Sequence, residues 1–531
     1  MMLQRRALCP GLSITDDAQL CSGCSLLSAT CHLNQSLSLN RTLTSDLIPQ
    51  EVRQRMYNGG ELPDSGAAPG ELSLSLTDDL TEMRVSWATM DQVVENARVV
   101  LDAPCPAGGC TFAADTRTYS VLQKWWPTFN GSLHTAVITG LEPGARYTYR
   151  VGSDSPGPNT TAGEGAFSEP YSFASPVAAG APTNVAVLAD MGTVMPLGFA
   201  VAEKLAAVQD SLGVDTAMVV GDLAYAGIDT AFPRINVSKD DEFEWIWDLW
   251  QIQNQPVAAT RPWMVGIGNH EAWYNWTAVT SRFHMPNGPT VGAVPPFWWS
   301  MDTGLAHFSH LCTEFDMNPG SPQLDWFAAD LAAAASPAAR AVTPWIVVTL
   351  HRPPYSSDQS WENLRADIEP LLAQHQVDLV VSGHMHAFER THAVGANGAS
   401  VVTPSRTDGK GNNVYDAPGF PVYITQGNSG AAQGESWQRP APAWSAVRWA
   451  NGWDSSPPRA SASDAREEAP AAAPPSAGGP GPGPYEATYT DSFGFGLARF
   501  MNATHMSYES IPITGVFTDT FWIVKPISGA Q

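Results

Sequence analysis

The chain has 531 residues, a hydrophobic content of 44% and 19 tryptophans. That is enough apolar material for two or three domains with sizeable cores, and it is not the composition of a disordered chain. A formal net charge of −24 leaves no basic stripe to neutralise a nucleic-acid backbone, although a small phosphate can still bind where metal cations dominate the local field.

No apolar run approaches the roughly 20 residues that a bilayer-spanning helix needs, so no membrane span is expected. Residues 1–66 show no sustained periodicity and read as a leader or extended arm. Met1–Leu20 carries Arg5 and Arg6, but Pro10, Asp16 and Asp17 cut the apolar stretch behind them, which makes a poor signal peptide. Cys21, Cys24, Cys31 and His32 lack a second pair at zinc-finger spacing.

From residue 67 to 178 short alternating runs follow one another: Leu72–Leu76, Met83–Trp87, Ala97–Leu101, His134–Ile138 and Tyr147–Gly152. Turn residues separate them, as expected of a small antiparallel β-sandwich. The run Leu141–Val151 resembles the fibronectin type III pattern, with Tyr147 and Tyr149 as core and corner packing. Cys105 and Cys110 bracket Pro-Ala-Gly-Gly and fit a local disulfide in an oxidising compartment. Cys312 reads as a buried thiol. Sequons at Asn34, Asn40, Asn130, Asn159, Asn236, Asn275 and Asn502 lean toward a secreted glycoprotein. N-glycans are expected at Asn130, Asn159, Asn236, Asn275 and Asn502.

Residues 179–436 change grammar. Apolar strands alternate with helical stretches such as Gly198–Val208 and Trp361–Gln374, the pattern of an α/β layered domain with a largely parallel interior. Residues 437–486 read as a low-complexity insertion, densest in Pro, Ala, Gly and Ser over Ser455–Pro484, with nothing to bury a core. Residues 487–531 return to strand-like runs and are expected to add strands to the preceding domain.

Five apolar runs in 179–436 end in a candidate ligand. Asn184–Ala189 ends at Asp190. Ala217–Gly221 ends at Asp222, with Tyr225 three residues on. Trp263–Gly268 ends at Asn269 and His270, Pro344–Leu350 at His351, and Val377–Ser382 at Gly383-His384-Met385-His386. A lone Asp after a strand is usually a helix cap or a turn. Ligands in open α/β sheets, however, bind beyond the carboxyl ends of strands, and five such endings together point to a metal site. Two Asp, one Tyr, one Asn and three His are oxygen and nitrogen donors, too many for one tetrahedral ion and suited to two ions sharing a carboxylate. Such a pair clamps the attacking and leaving oxygens of a displacement at phosphorus, with a metal-bound hydroxide as nucleophile.

These blocks resemble the purple acid phosphatases, within the calcineurin-like metallophosphoesterases. The matching segments are Asp190-Met191-Gly192, Gly221–Tyr225, Gly268–Glu271, Val347–Arg352 and Gly383–His386. Arg282–Pro286, Ala387–Arg390 and Ser492–Gly496 are also similar. The resemblance implies an α/β/β/α four-layer sandwich preceded by the fibronectin-like domain. It implies a ferric ion held by Asp190, Tyr225 and His386, and a divalent zinc, manganese or iron held by Asn269, His351 and His384, with Asp222 bridging. His270 would contact the phosphate and assist leaving-group protonation. The implied activity is that of a secreted or vacuolar acid phosphatase, the implied substrate a small phosphate monoester; a homodimer is left open.

One departure stands out. Plant-type members carry further substrate-facing histidines about ten residues beyond the residue matched by His351, whereas here the stretch is Ser356–Trp361 without His. It keeps a phosphodiesterase or a nucleotide pyrophosphatase/phytase open as alternatives on the same site. A non-enzymatic alternative, an inactive secreted binding glycoprotein, is opposed by the intact ligand set.

Overall fold

The computed structural model describes residues 66–90, 93–121, 129, 131–157, 160, 164–193, 197–226, 244–286, 297–431, 433, 437–450, 453–454, 492–514 and 518–526. The leader, Cys9, Cys21, Cys24 and Cys31, the sequons at Asn34, Asn40, Asn130, Asn159 and Asn236, and the stretch 455–491 lie outside the described residues. Asn275 and Asn502 are exposed.

Eight strands form the first layer pair: β1 (Gly70–Ser75), β2 (Met83–Thr89), β3 (Arg98–Leu101), β4 (Thr111–Ala113), β5 (Asp115–Arg117), β6 (Ser132–Ile138), β7 (Arg146–Gly152) and β8 (Tyr171–Ala174). They pair as two four-stranded sheets, β1-β2-β6-β5 and β4-β3-β7-β8. Alternation drives this: Met83, Val85 and Trp87 are buried on one face of β2 while Arg84 and Ser86 are partly exposed. Tyr147 is a corner residue, its hydroxyl accepting the Glu142 amide at 3.0 Å. Tyr149 is buried and donates to the Ala259 carbonyl at 2.9 Å, tying the sandwich to the next domain. Cys105 and Cys110 form a disulfide, and Cys312 is a buried free thiol.

The second domain begins with β9 (Thr183–Leu188), α1 (Gly198–Leu212), β10 (Thr216–Val220), α2 (Glu244–Ala258), β11 (Trp263–Gly266) and the short α3 (Thr277–Arg282). It continues through β12 (Trp299–Thr303), β13 (Ala306–Leu311), α4 (Pro322–Ala334), α5 (Pro337–Arg340), β14 (Trp345–Leu350), α6 (Glu362–Gln374) and β15 (Leu379–Ser382). Then follow β16 (Phe388–Gly395), β17 (Ser400–Val402), β18 (Arg406–Thr407), β19 (Asn413–Asp416), β20 (Val422–Gln426), β21 (Ser445–Ala450), β22 (Trp453–Asp454), β23 (Gly494–Phe500), β24 (His505–Pro512) and β25 (Asp519–Val524). Helix ends follow local chemistry. The Ser321 hydroxyl caps α4 by accepting the Leu324 amide ahead of Pro322, and Gly213 closes α1 at φ 64°.

Two mixed sheets carry the domain, in the orders β11-β10-β9-β23-β24-β25-β19-β18 and β12-β13-β14-β15-β20-β16-β21-β22, with β17 on β16. Strands β9, β10 and β11 are parallel, as are β13, β14, β15 and β20. Their alternation sets the layers. Val185, Val187 and Val220 of the first sheet share a core with Phe308, Val347 and Val381 of the second. Ala186, Leu188 and Val219 face the other way, onto Leu205 of α1 and Trp247 and Trp250 of α2. Ile346, Val348 and Val380 likewise meet Phe327 of α4 and Ile368 of α6. The result is a four-layer α/β/β/α sandwich, in which both parallel sets are buried on two faces as their nearly unbroken apolar runs require.

The expected insertion at 437–486 needs correction at its start. β21 pairs antiparallel with β16, and β22 pairs with β21, so residues 445–450 and 453–454 extend the second sheet. Trp449 stacks on Phe388 with ring centroids 4.2 Å apart, and Arg448 donates to the Ser357 hydroxyl at 2.7 Å. The flanking Pro440 and Pro442 weighted the local composition toward a loop and masked a strand anchored by a few large side chains. The tail does add strands, since β23 pairs antiparallel with β9. Among the described residues no helix is long and apolar enough to cross a membrane.

Candidate metal centre

The carboxyl ends of β9, β10 and β11 in one sheet and of β14 and β15 in the other open on the same edge. Asp190 follows β9, Asp222 and Tyr225 follow β10, and Asn269 and His270 follow β11. His351 follows β14, and His384 and His386 follow β15. Four of these residues leave their strands in the left-handed region, Asp190 at φ 55°, Asp222 at 51°, Tyr225 at 53° and His384 at 68°. Each such residue costs about 1–3 kcal/mol, and clustering of that strain at one edge is typical of a functional site. Close approach is needed as well. A Cβ on Gly268 would lie 2.3 Å from Asp222 Oδ1, and one on Gly383 would lie 2.5 Å from Asp190 Oδ2.

The donors converge in two groups, Asp190, Asp222 and His386 in one and Asp222, His351 and His384 in the other; within each, the ligating atoms lie within 4.8 Å of one another. Asp222 belongs to both. The Tyr225 hydroxyl joins the first group, 3.2 Å from Asp190 Oδ1, 3.2 Å from Asp222 Oδ2 and 2.8 Å from His386 Nε2. Asn269 Oδ1 joins the second, 3.2 Å from His351 Nε2, which is also 3.2 Å from His384 Nδ1 and from Asp222 Oδ2. All seven expected ligands are thus gathered. His270 stands beside them, its amide donating to Asp222 Oδ1 at 2.9 Å and its ring 4.3 Å from that of Tyr225.

Electrostatics fit a cation-binding cluster. Burial pushes the Asp190 carboxyl well up, with the neighbouring Asp222 adding to the effect. Asp222 is buried too, but there His351 and His270 outweigh burial and hold the carboxyl low. Burial pulls the His351 imidazole down, yet Asp222 and Asp190 carry it up to about 10. Burial leaves His384 at about 2, a neutral imidazole with a free lone pair. An oxygen and nitrogen donor set around a shared buried carboxylate is what two adjacent hard or borderline cations require, and the two carboxylates that hold a proton on His351 would hold a cation in its place. The residues present therefore fit a dinuclear centre.

A second layer holds these donors, and sequence reasoning gave it no role. Glu271 is buried and accepts the amides of Asp222 at 2.9 Å, Leu223 at 2.8 Å and Gly268 at 2.8 Å. Burial and Asp222 push its carboxyl up to about 8, while the three N–H donors favour the anion. Its place directly after His270 was the available signal. A Glu271→Gln variant turns an amide NH2 toward these N–H groups and should weaken metal affinity about 10–100-fold; unchanged affinity in a chelator competition would contradict that. Arg352 and Glu314 were missed as well. The guanidinium forks onto Glu314 at 2.7 and 2.8 Å and reaches His384 Nε2 at 3.2 Å.

Paired mixed sheets between helix layers, with a two-cation donor set at their carboxyl edge, define a metallophosphoesterase. Residues 69–175 match the family model for the purple acid phosphatase N-terminal domain, and residues 183–388 match that for calcineurin-like phosphoesterases. Purple acid phosphatase 23 of Arabidopsis thaliana is 30% identical over 403 residues, covering 68% of this chain and 79% of that protein. Purple acid phosphatase 18 of the same plant is 28% identical over 433 residues, covering 78% and 85%. Among solved structures, the purple acid phosphatase PPD1 from yellow lupin seeds superposes with a TM-score of 0.66 at 20% identity, over 86% of this chain and 75% of that one, a likeness of fold. The chain belongs to the purple acid phosphatases. It is a hydrolase acting on phosphate esters, and the family implies a dinuclear metal centre.

Proposed function

We propose that the protein is an acid phosphatase cleaving phosphate monoesters at a mixed-metal centre. In this reading a ferric ion is held by Asp190, Tyr225 and His386, a divalent zinc, manganese or iron by Asn269, His351 and His384, and Asp222 is shared. The observation that carries it is the membership of Asp222 in both donor groups. Two bound cations supply the Lewis acidity that activates water and neutralises phosphate charge.

The chain's own residues do the rest. His270, with its side chain 14% exposed beside Asp222, reaches the open side of the cluster, where it binds a phosphate oxygen and protonates the departing ester oxygen. Asn269 shares that rim and orients the phosphate through its amide. Glu271 fixes the loop that carries both, so neither must reorganise during the reaction. The Cys105–Cys110 disulfide supports an extracellular or vacuolar location. We also divide the chain into a sandwich domain at 67–178 and a catalytic domain from 179, completed by the tail from 487.

The iron assignment rests on Tyr225. A tyrosinate bound to ferric iron gives a visible charge-transfer band, so Tyr225→Phe should bleach the purified protein while iron remains measurable. A variant that keeps the band would exclude iron from this group of ligands.

A further inference from the structure

The stretch after His351 lacks the histidines that the family resemblance leads one to expect, and the structure shows what stands there instead. Trp361, ten residues beyond His351, packs its ring edge-to-face on His384, with centroids 4.8 Å apart and planes at 80°. The Arg352 guanidinium lies 5.4 Å from the centre of the same ring. Glu314 holds that guanidinium through two hydrogen bonds, and the Arg352 side chain stays 23% exposed. Trp361 is itself half-buried, so part of a large apolar surface borders the Asp222, His351 and His384 group.

We propose that Trp361, held between Arg352 and His384, is the wall against which the ester's leaving group rests, making this centre selective for aryl over small alkyl phosphates. The inference rests on the phosphate-ester reading given above. Two features argue for it. An indole offers stacking surface to a planar leaving group and nothing to a methyl or ethyl group. Trp361 cannot give up a proton near neutral pH, since its indole N–H does not titrate. The wall therefore adds no second proton donor to His270, and the departing oxygen leans more on its own stability as an anion. A phenolate, which carries its own negative charge well, is expelled more readily under those conditions than an alkoxide. The ring also has a ready means of staying in place, through the cation beside it and the imidazole beneath it.

The test uses non-hydrolysable ligands first. Metal-loaded protein, its metal content measured for each variant, is titrated calorimetrically with phenylphosphonate and with methylphosphonate. The wild type should bind the phenyl compound about three- to tenfold more tightly. Trp361→Ala should abolish that preference, bringing the phenylphosphonate affinity down to that for methylphosphonate in the same variant, and Trp361→Phe should retain most of it. The same ratio should appear in kcat/KM for phenyl against ethyl phosphate, and Trp361→His should raise kcat selectively on the ethyl ester. Absence of a phenyl preference in the wild type, or its survival in Trp361→Ala, overturns the wall. A wild type that shows the phosphonate preference yet hydrolyses neither ester contradicts the phosphatase reading and leaves the wall standing.

Discussion

Replacing Asp222 by Asn is expected to remove at least one of the two cations and to lower turnover by about a thousandfold or more, the loss of several kcal/mol of charge stabilisation. The change is nearly isosteric, so the effect reports chemistry and not shape. Asp222 Oδ1 accepts the His270 amide at 2.9 Å, while Oδ2 faces Tyr225 and His351, each at 3.2 Å. An asparagine keeps only one acceptor oxygen and loses the charge that two cations would share. Whichever way the amide is turned, an NH2 faces either the His270 N–H or the cation side. Metal content and turnover, compared with a circular dichroism spectrum that shows the fold intact, decide the matter. Full activity in the variant would defeat the dinuclear mechanism.

The largest expected loss of stability lies where the sandwich meets the second domain. Arg282 is completely buried and donates to Glu71 at 3.0 Å, Asp248 at 2.5 Å and Gln251 at 2.7 Å. It also donates to the Tyr119 hydroxyl at 2.8 Å, and that hydroxyl in turn donates to Glu244. The guanidinium sits 4.8 Å from the centre of the Phe129 ring. Glu71 and Tyr119 come from the sandwich, Asp248 and Glu244 from α2, so a single cation neutralises carboxylates from two domains. Arg282→Met would leave those carboxylates buried without their partner, which costs about 3–5 kcal/mol. The melting temperature should fall by at least about 5 °C. A shift of under a degree would show that the acids find another way to be satisfied, and that the cluster does not join the domains.

The proposed metal ligands were legible because each lies at or just beyond the end of an apolar run and the runs are parallel strands. A strand's period fixes where it stops, and the carboxyl ends of neighbouring parallel strands meet at one edge. The layers were legible for the same reason, in β9 and β14, whose alternate residues serve opposite faces. What the sequence hid was mostly relational. Nothing local marks Glu271 as the acceptor of three amides from two different loops. Arg282 reads as one cation in a short motif until α2 and β1 are brought beside it. β21 was obscured because Pro440 and Pro442 precede it and its anchors, Arg448 and Trp449, find partners only in β16 and in the loop at Ser357. Trp361 appeared as the absence of a histidine; only its contact with His384 gives the residue a role of its own.

Metal analysis of the purified protein together with its visible spectrum tests the central claim most directly. The account predicts two metal ions per chain, one of them iron, and a visible band that disappears in Tyr225→Phe. Protein that is folded and metal-saturated yet binds a single ion per chain, or two ions without any visible band, would contradict it.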